Sequence, residues 1–121
     1  RCTYDPETKG GNAADGRKVK ATLHWVNAQD SINATVNLYD RLFSDPNPDS
    51  SENFLTVMNP SSLEVSSKCM LEKSLLEFGP GETVQFERLG YFCPDLITSE
   101  EKPVFNRTVT LRDSWSKITK R

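Results

Sequence analysis

Within the four positions QFER, residues 85–88, an amide, a carboxylate and a guanidinium come together: Gln85, Glu87 and Arg88. Gln85 can both donate and accept, Glu87 accepts from an exocyclic amine, and Arg88 offers a planar fork to a base edge or a phosphate. Such groups read flat polar ligands, among them nucleobases splayed out of their stack. The period of a strand puts Val84 and Phe86 on the inward face, with Leu89 a further inward candidate, and Gln85 and Glu87 on the other. A second run places Phe105, Val109 and Leu111 inward among Asn106, Arg107, Thr108, Thr110 and Arg112, though less regularly. The plain alternative for both runs is a solvated strand face. Arg17, Lys18 and Lys20 form a separate basic group, read as an ordinary exposed face or as phosphate contacts. Lys117, with Lys120 and Arg121, reads as a solvated tail or as a further phosphate contact. Salt dependence of binding separates these readings.

Other chemistry finds little support. The only histidine, His24, falls on the polar face of a strand pattern, away from any nucleophile motif, and reads as a surface or structural residue. Metal binding needs clustered ligands, whereas Cys2, Cys69 and Cys93 are scattered and form no CxxC. Gly10-Gly11 and Pro80-Gly81 read as turns, not phosphate-binding loops. No catalytic residues and no metal are therefore assigned. With 121 residues and a net charge of -2, the chain suits one domain with wide polar surfaces and lacks the basic balance of indiscriminate nucleic-acid binders. An odd cysteine count points to a reducing compartment, the cytoplasm, and outweighs the chance acceptor triplets at Asn33 and Asn106. No apolar run is long enough to span a membrane. A start at Arg1, in a polar stretch, suggests a piece of a longer polypeptide.

These side chains must be positioned by short strands. Residues 1–16 are rich in turn formers and read as a leading loop. A strand is expected at about 17–27, with Val19, Ala21, Leu23 and Trp25 inward, joined by the turn at 28–31 to a strand at about 33–39 in an antiparallel hairpin. Ala34, Val36 and Leu38 face inward in that second strand. The loop DPNPDSS, residues 45–51, loses two backbone donors to Pro46 and Pro48. FLTVM at 54–58 fits a short helix or strand, LEVSS a short strand, and MLEKSLLEF an irregular or briefly helical segment. Pro80-Gly81 turns the chain into a long strand carrying Gly90 as a bulge or close-approach site. A last strand covers about 104–112. Many short strands with frequent turns argue for an all-β fold, an antiparallel barrel or sandwich. Core packing is the expected role of Trp25, Tyr39, Phe43, Phe54, Phe86 and Phe105, with Trp115 stapling the tail.

The blocks DGRKVKATLHWV, LYDRLF, FLTVMNPSSL, QFERLGYFCPD, KPVFNRTV and LRDSW, in this order and spacing, resemble the C-terminal anticodon-binding region of glutaminyl-tRNA synthetases. The resemblance runs over nearly the whole chain, from about residue 2 to about 117. It implies antiparallel β-barrels of the class I glutaminyl/glutamyl type, two in tandem, of which the chain would hold one whole barrel and part of the other. It implies barrel strands and a long loop at about 17–80, and strands plus a tail completing an anticodon pocket at about 81–121. It places the positions matching Gln85, Glu87 and Arg88 around the central and third anticodon bases, and Arg112 near the anticodon. Ser114 stands where a relative has threonine, so the hydroxyl persists without the methyl. The implied partner is tRNA(Gln), bound by a monomer, with neither DNA nor membrane. No cofactor belongs to this segment; ATP with magnesium would serve the catalytic part of the full-length ligase. The alternatives are the similar region of a glutamyl-tRNA synthetase and a protein-interaction barrel without RNA, which the acidic balance would suit.

Overall fold

The computed structural model describes residue 3 and residues 5–8, 13–18 and 24–111. The pattern SINATVNLY makes the central strand, β1 (Ser31–Tyr39), in which Ala34 and Val36 are buried. Its start is set by an Asx-type turn: the Asn27 side chain accepts from the Gln29 N–H at 3.0 Å, and the Asp30 N–H reaches the Asn27 carbonyl at 3.1 Å. The other strands are β2 (Leu63–Glu72), β3 (Val84–Phe86), β4 (Gly90–Pro94) and β5 (Val104–Val109). They form one sheet in the order β2-β1-β5-β4-β3, with β1 and β5 parallel and the other neighbours antiparallel. Connections carry only short 3-10 helices, at Pro6–Thr8, Pro48–Ser50, Phe54–Val57 and Lys73–Glu77. The fold is all-β, as expected. Among the described residues the sheet stays open, with β2 and β3 at its edges.

The strand expected at about 17–27 is not found where the chain is described: Arg17, Lys18 and residues 24–27 carry no strand. Residues 19–23, with Lys20, lie outside the described residues. The turn before β1 is present, but the antiparallel neighbour of β1 is β2, reached across the long loop. Trp25, expected inward, is 82% exposed. FLTVM combines both readings offered for it, a 3-10 turn at Phe54–Val57 followed by an isolated bridge between Met58 and Phe43. LEVSS opens a strand longer than expected, which runs on through MLE.

Two extra residues in the ladders decide which side chains face the core. Between Ala34 and Val36, β2 advances from Cys69 to Ser66 and so holds one residue more than β1. Beyond that bulge the faces exchange: Cys69 and Leu71 pack on the core, whereas Leu63 and Val65 point away and are exposed. Likewise Tyr91 pairs with Val109 but Phe92 with Arg107, so Thr108 is the additional residue on β5. Phe105 is buried as expected, but Val109 is turned outward and Leu111 is exposed.

Among the described residues the core cluster is Ala34, Val36, Phe92 and Phe105, with Leu38, Cys69, Leu71, Leu75, Val84 and Phe86 packed against it. Phe86 stacks on Phe92 with ring centroids 4.0 Å apart, and its centroid lies 5.8 Å from that of Phe105. These aromatic contacts tie the β3–β4 hairpin to β5. Phe43 and Phe54 instead pair edge to face at 6.4 Å in the long connection, and Tyr39 is exposed, so none of the three belongs to this core.

Candidate functional site

The core face of the sheet opens into a recess of about 890 Å³. Val36 and Leu38 of β1, Phe92 of β4 and Arg107 of β5 line it, with Cys69 to Glu72 of β2 on one side and residues 24–26 beside them. The β3–β4 hairpin supplies Gln85, Phe86, Glu87 and Leu89. A mixed wall of this kind can seat the flat face of a ligand on apolar carbon while polar groups meet its edge.

The hairpin places the QFER side chains differently from one continuous strand. Strand β3 ends at Phe86, and residues 87–89 form the turn, closed by the Leu89 N–H donating to the Phe86 carbonyl at 2.9 Å. Arg88 holds φ at 66°, as the third residue of a turn of this hand requires. Gln85 stays on the strand, opposite Tyr91, and lines the recess. Glu87 also lines it, but from the turn rather than from a strand face. Arg88 lies just outside, exposed, with Nε 3.5 Å from the Glu87 carboxylate. Gln85 and Glu87 are therefore brought together at the recess, and Arg88 is next to it.

The remaining expected contacts are dispersed. Arg17 is held by two carboxylates, Asp5 at 3.2 Å and Asp15 at 3.6 Å, which compete with any phosphate. Lys18 is exposed and apart from the recess. Lys20, Arg112, Ser114 and Lys117 lie outside the described residues, as do Cys2 and Trp115. Among the described residues no group of three His, Cys, Asp or Glu is placed to hold a metal. Cys69 and Cys93 are free thiols, and His24 is exposed at the recess wall.

One residue of the recess was missed by the sequence reading. Arg107 pairs with Phe92 and shares the inward phase of Phe105, so its side chain enters the recess. Its Nη2 donates to the Tyr39 carbonyl at 3.1 Å, while its Nε is buried without an acceptor. Strict two-residue alternation from Phe105 already points to Arg107. Treating every polar residue of KPVFNRTV as outward concealed it. On the opposite face, the Asn37 amide donates to Asn106 Oδ1 at 2.8 Å, and the Asn106 amide donates to the Asp95 carboxylate.

No helix among the described residues is long and apolar enough to cross a membrane. The chain is 53% identical to the glutamine–tRNA ligase of Nitrobacter winogradskyi over 118 residues, 98% of the chain and 21% of that protein. It is 56% identical over 119 residues to the glutamine–tRNA ligase of Pseudomonas putida, covering 95% of the chain and 21% of the relative. For the glutamine–tRNA ligase of an Escherichia coli O1:K1 strain the identity is 52%, with 97% and 21% covered. The chain thus spans about 21% of the length of the curated relatives it matches. Residues 22–95, which include β1 to β4 and the hairpin bearing Gln85, Glu87 and Arg88, match the anticodon-binding domain of class I tRNA synthetases (E and Q), and the chain belongs to that family.

Proposed function

We propose that this chain reads the anticodon of tRNA(Gln) for a cytoplasmic, monomeric glutamine–tRNA ligase of which it forms the C-terminal, non-catalytic part. The observation that carries the reading is the identity of 52–56% to glutamine–tRNA ligases along nearly the whole chain. The recess supports it physically, because Gln85 and Glu87 offer a donor and acceptors beside apolar carbon and Arg88 adds a charge nearby. Arg112 and Ser114 would complete the pocket from the C-terminal segment. Lys18, Lys20 and Lys117 would meet phosphates, and Arg17 would do so on leaving Asp5 and Asp15. ATP and magnesium would act in the rest of the ligase, where glutamine is activated and transferred. Correct anticodon binding would reach that centre as a coupling free energy between the two sites.

The test is binding of the anticodon stem-loop of tRNA(Gln), beside a loop with its central uridine changed, at two salt concentrations. The native loop should be preferred, and Gln85→Ala or Arg88→Gln should weaken that preference by about tenfold, the scale of a lost hydrogen bond to a charged or base group. Equal, salt-sensitive binding of both loops would reduce the role to phosphate contact and refute base reading. In the full-length ligase, unchanged aminoacylation by both variants would refute the assignment of these residues. A preference for the glutamate tRNA stem-loop would transfer the reading to the sister specificity.

A further inference from the structure

We propose that Arg107 is the anion-binding side chain of the recess and grips a backbone phosphate of the RNA segment whose base lies beside Gln85. The proposal rests on the RNA-reading function put forward above and names a contact that function did not include.

Four observations carry it. The bulge at Thr108 ends the inward phase of β5 at Arg107, so the last inward residue is a cation facing the recess rather than another Val. The guanidinium commits one donor, to the Tyr39 carbonyl, and leaves its buried Nε–H without an acceptor. The other arginines among the described residues, Arg17, Arg41 and Arg88, each have a carboxylate within 4.0 Å, and Arg107 has none. Its charge is half-buried on the core face, where an uncompensated cation attracts an anion more strongly than at the open surface. A phosphate answers these, since its oxygens can accept from the uncommitted Nη–H groups, and from Nε–H as well once the side chain swings into the recess.

Glu72 and Glu87 line the same recess and would repel a phosphate. That opposition gives the bound nucleotide a direction. Its phosphate would meet Arg107, and any exocyclic amine of its base would suit the Glu87 carboxylate and the Gln85 amide oxygen. A structural alternative is that Arg107 merely straps β5 to the end of β1 through Tyr39. The strap would affect stability without affecting salt-dependent RNA binding.

The experiment uses the full chain and the native and altered anticodon stem-loops over a series of salt concentrations. Arg107→Gln should weaken binding of both loops by about tenfold and lower the slope of log K against log salt by about 0.7, the value for one phosphate on a single strand. The ratio between the two loops should persist. Arg107→Lys should retain the salt slope with reduced affinity, because the point charge remains and the fork is lost. In the wild-type chain, the Arg107 Nε–H resonance should shift on adding the native loop, which needs no variant to fold. If the wild-type chain prefers the native loop while that resonance is unmoved and the salt slope of a folded variant is unchanged, the Arg107 contact is wrong and the RNA-reading function stands. If the wild-type chain binds both loops equally, base reading falls and the Arg107 contact is judged by the salt slope of Arg107→Gln; if it binds neither loop, both fall.

Discussion

Gly90 opens β4 with φ at 151°, a conformation that L side chains rarely adopt. A Cβ there would lie 2.5 Å from the Val109 carbonyl oxygen, a backbone atom that cannot swing aside. The glycine therefore lets β5 close against the hairpin next to the bulge that follows Arg107. Gly90→Ala should cost about 2 kcal/mol or more, from backbone strain plus the clash, read as a lower urea midpoint with the slope unchanged. RNA binding by the surviving folded fraction should also weaken, since a Cβ at Gly90 would also lie 3.5 Å from Arg107 Cδ. Arg88 sits at the other end of the same hairpin with φ at 66°, so its conformation is imposed by the turn. Binding tests there are cleaner with Gln than with Gly, which would relax the turn as well as remove the charge.

Among the elements, the parallel join of β1 to β5 is the shortest ladder of the sheet centre, with partners Thr35 to Asn37 on one side and Val104 to Asn106 on the other. The Asn37–Asn106–Asp95 relay crosses it and continues to the end of β4. Asp95 also accepts from the Ile97 N–H at 3.0 Å. This backbone bond first, and the Asn106 amide second, hold the Asp95 carboxyl below its ordinary range. A carboxyl depressed in the folded state binds fewer protons there than when unfolded. Its contribution is therefore fully present above its unfolded pKa and is lost as pH falls through the folded value. The urea midpoint of the wild-type chain should drop between about pH 5 and about pH 2, and Asp95→Asn should flatten part of that slope while being less stable at pH 7. Parallel pH profiles for the two proteins would dismiss the relay as a stabilising device.

At the scale of the whole molecule, the buried core among the described residues is small and aromatic, and many of their apolar side chains are exposed. Phe105 is 1% exposed and Phe92 2%, whereas Leu96 is 88% exposed and Ile97 77% in the β4–β5 connection. Phe105→Ala should cost about 3–5 kcal/mol, since it empties the centre of a core with few other members. Leu96→Ser with Ile97→Ser should change stability by no more than about 0.5 kcal/mol each, as expected of exposed sites. Chemical denaturation distinguishes the two classes, and a large loss from the Leu96 and Ile97 pair would show that this connection packs more tightly than its exposure implies.

Composition and local pattern were sufficient for the all-β class, for β1 with Ala34, Val36 and Leu38 on its inward face, and for Phe105 in the core. Those features follow from residue type and a two-residue period, which act over a few positions of chain. The close approach at Gly90 was legible for the same reason, since only glycine suits it. Gln85, Glu87 and Arg88 could be picked out as polar chemistry, but their arrangement could not, because a turn at residues 87–89 breaks the strand without a glycine to announce it. Strand partners were also beyond local reach: β1 takes β2 across the long loop and β5 from near the end of the described chain. Arg107 follows Phe105 inward by plain alternation, but the outward turn of Val109 depends on one extra residue, Thr108, relative to β4. Such a count exists only between two strands, so tertiary pairing alone decides it.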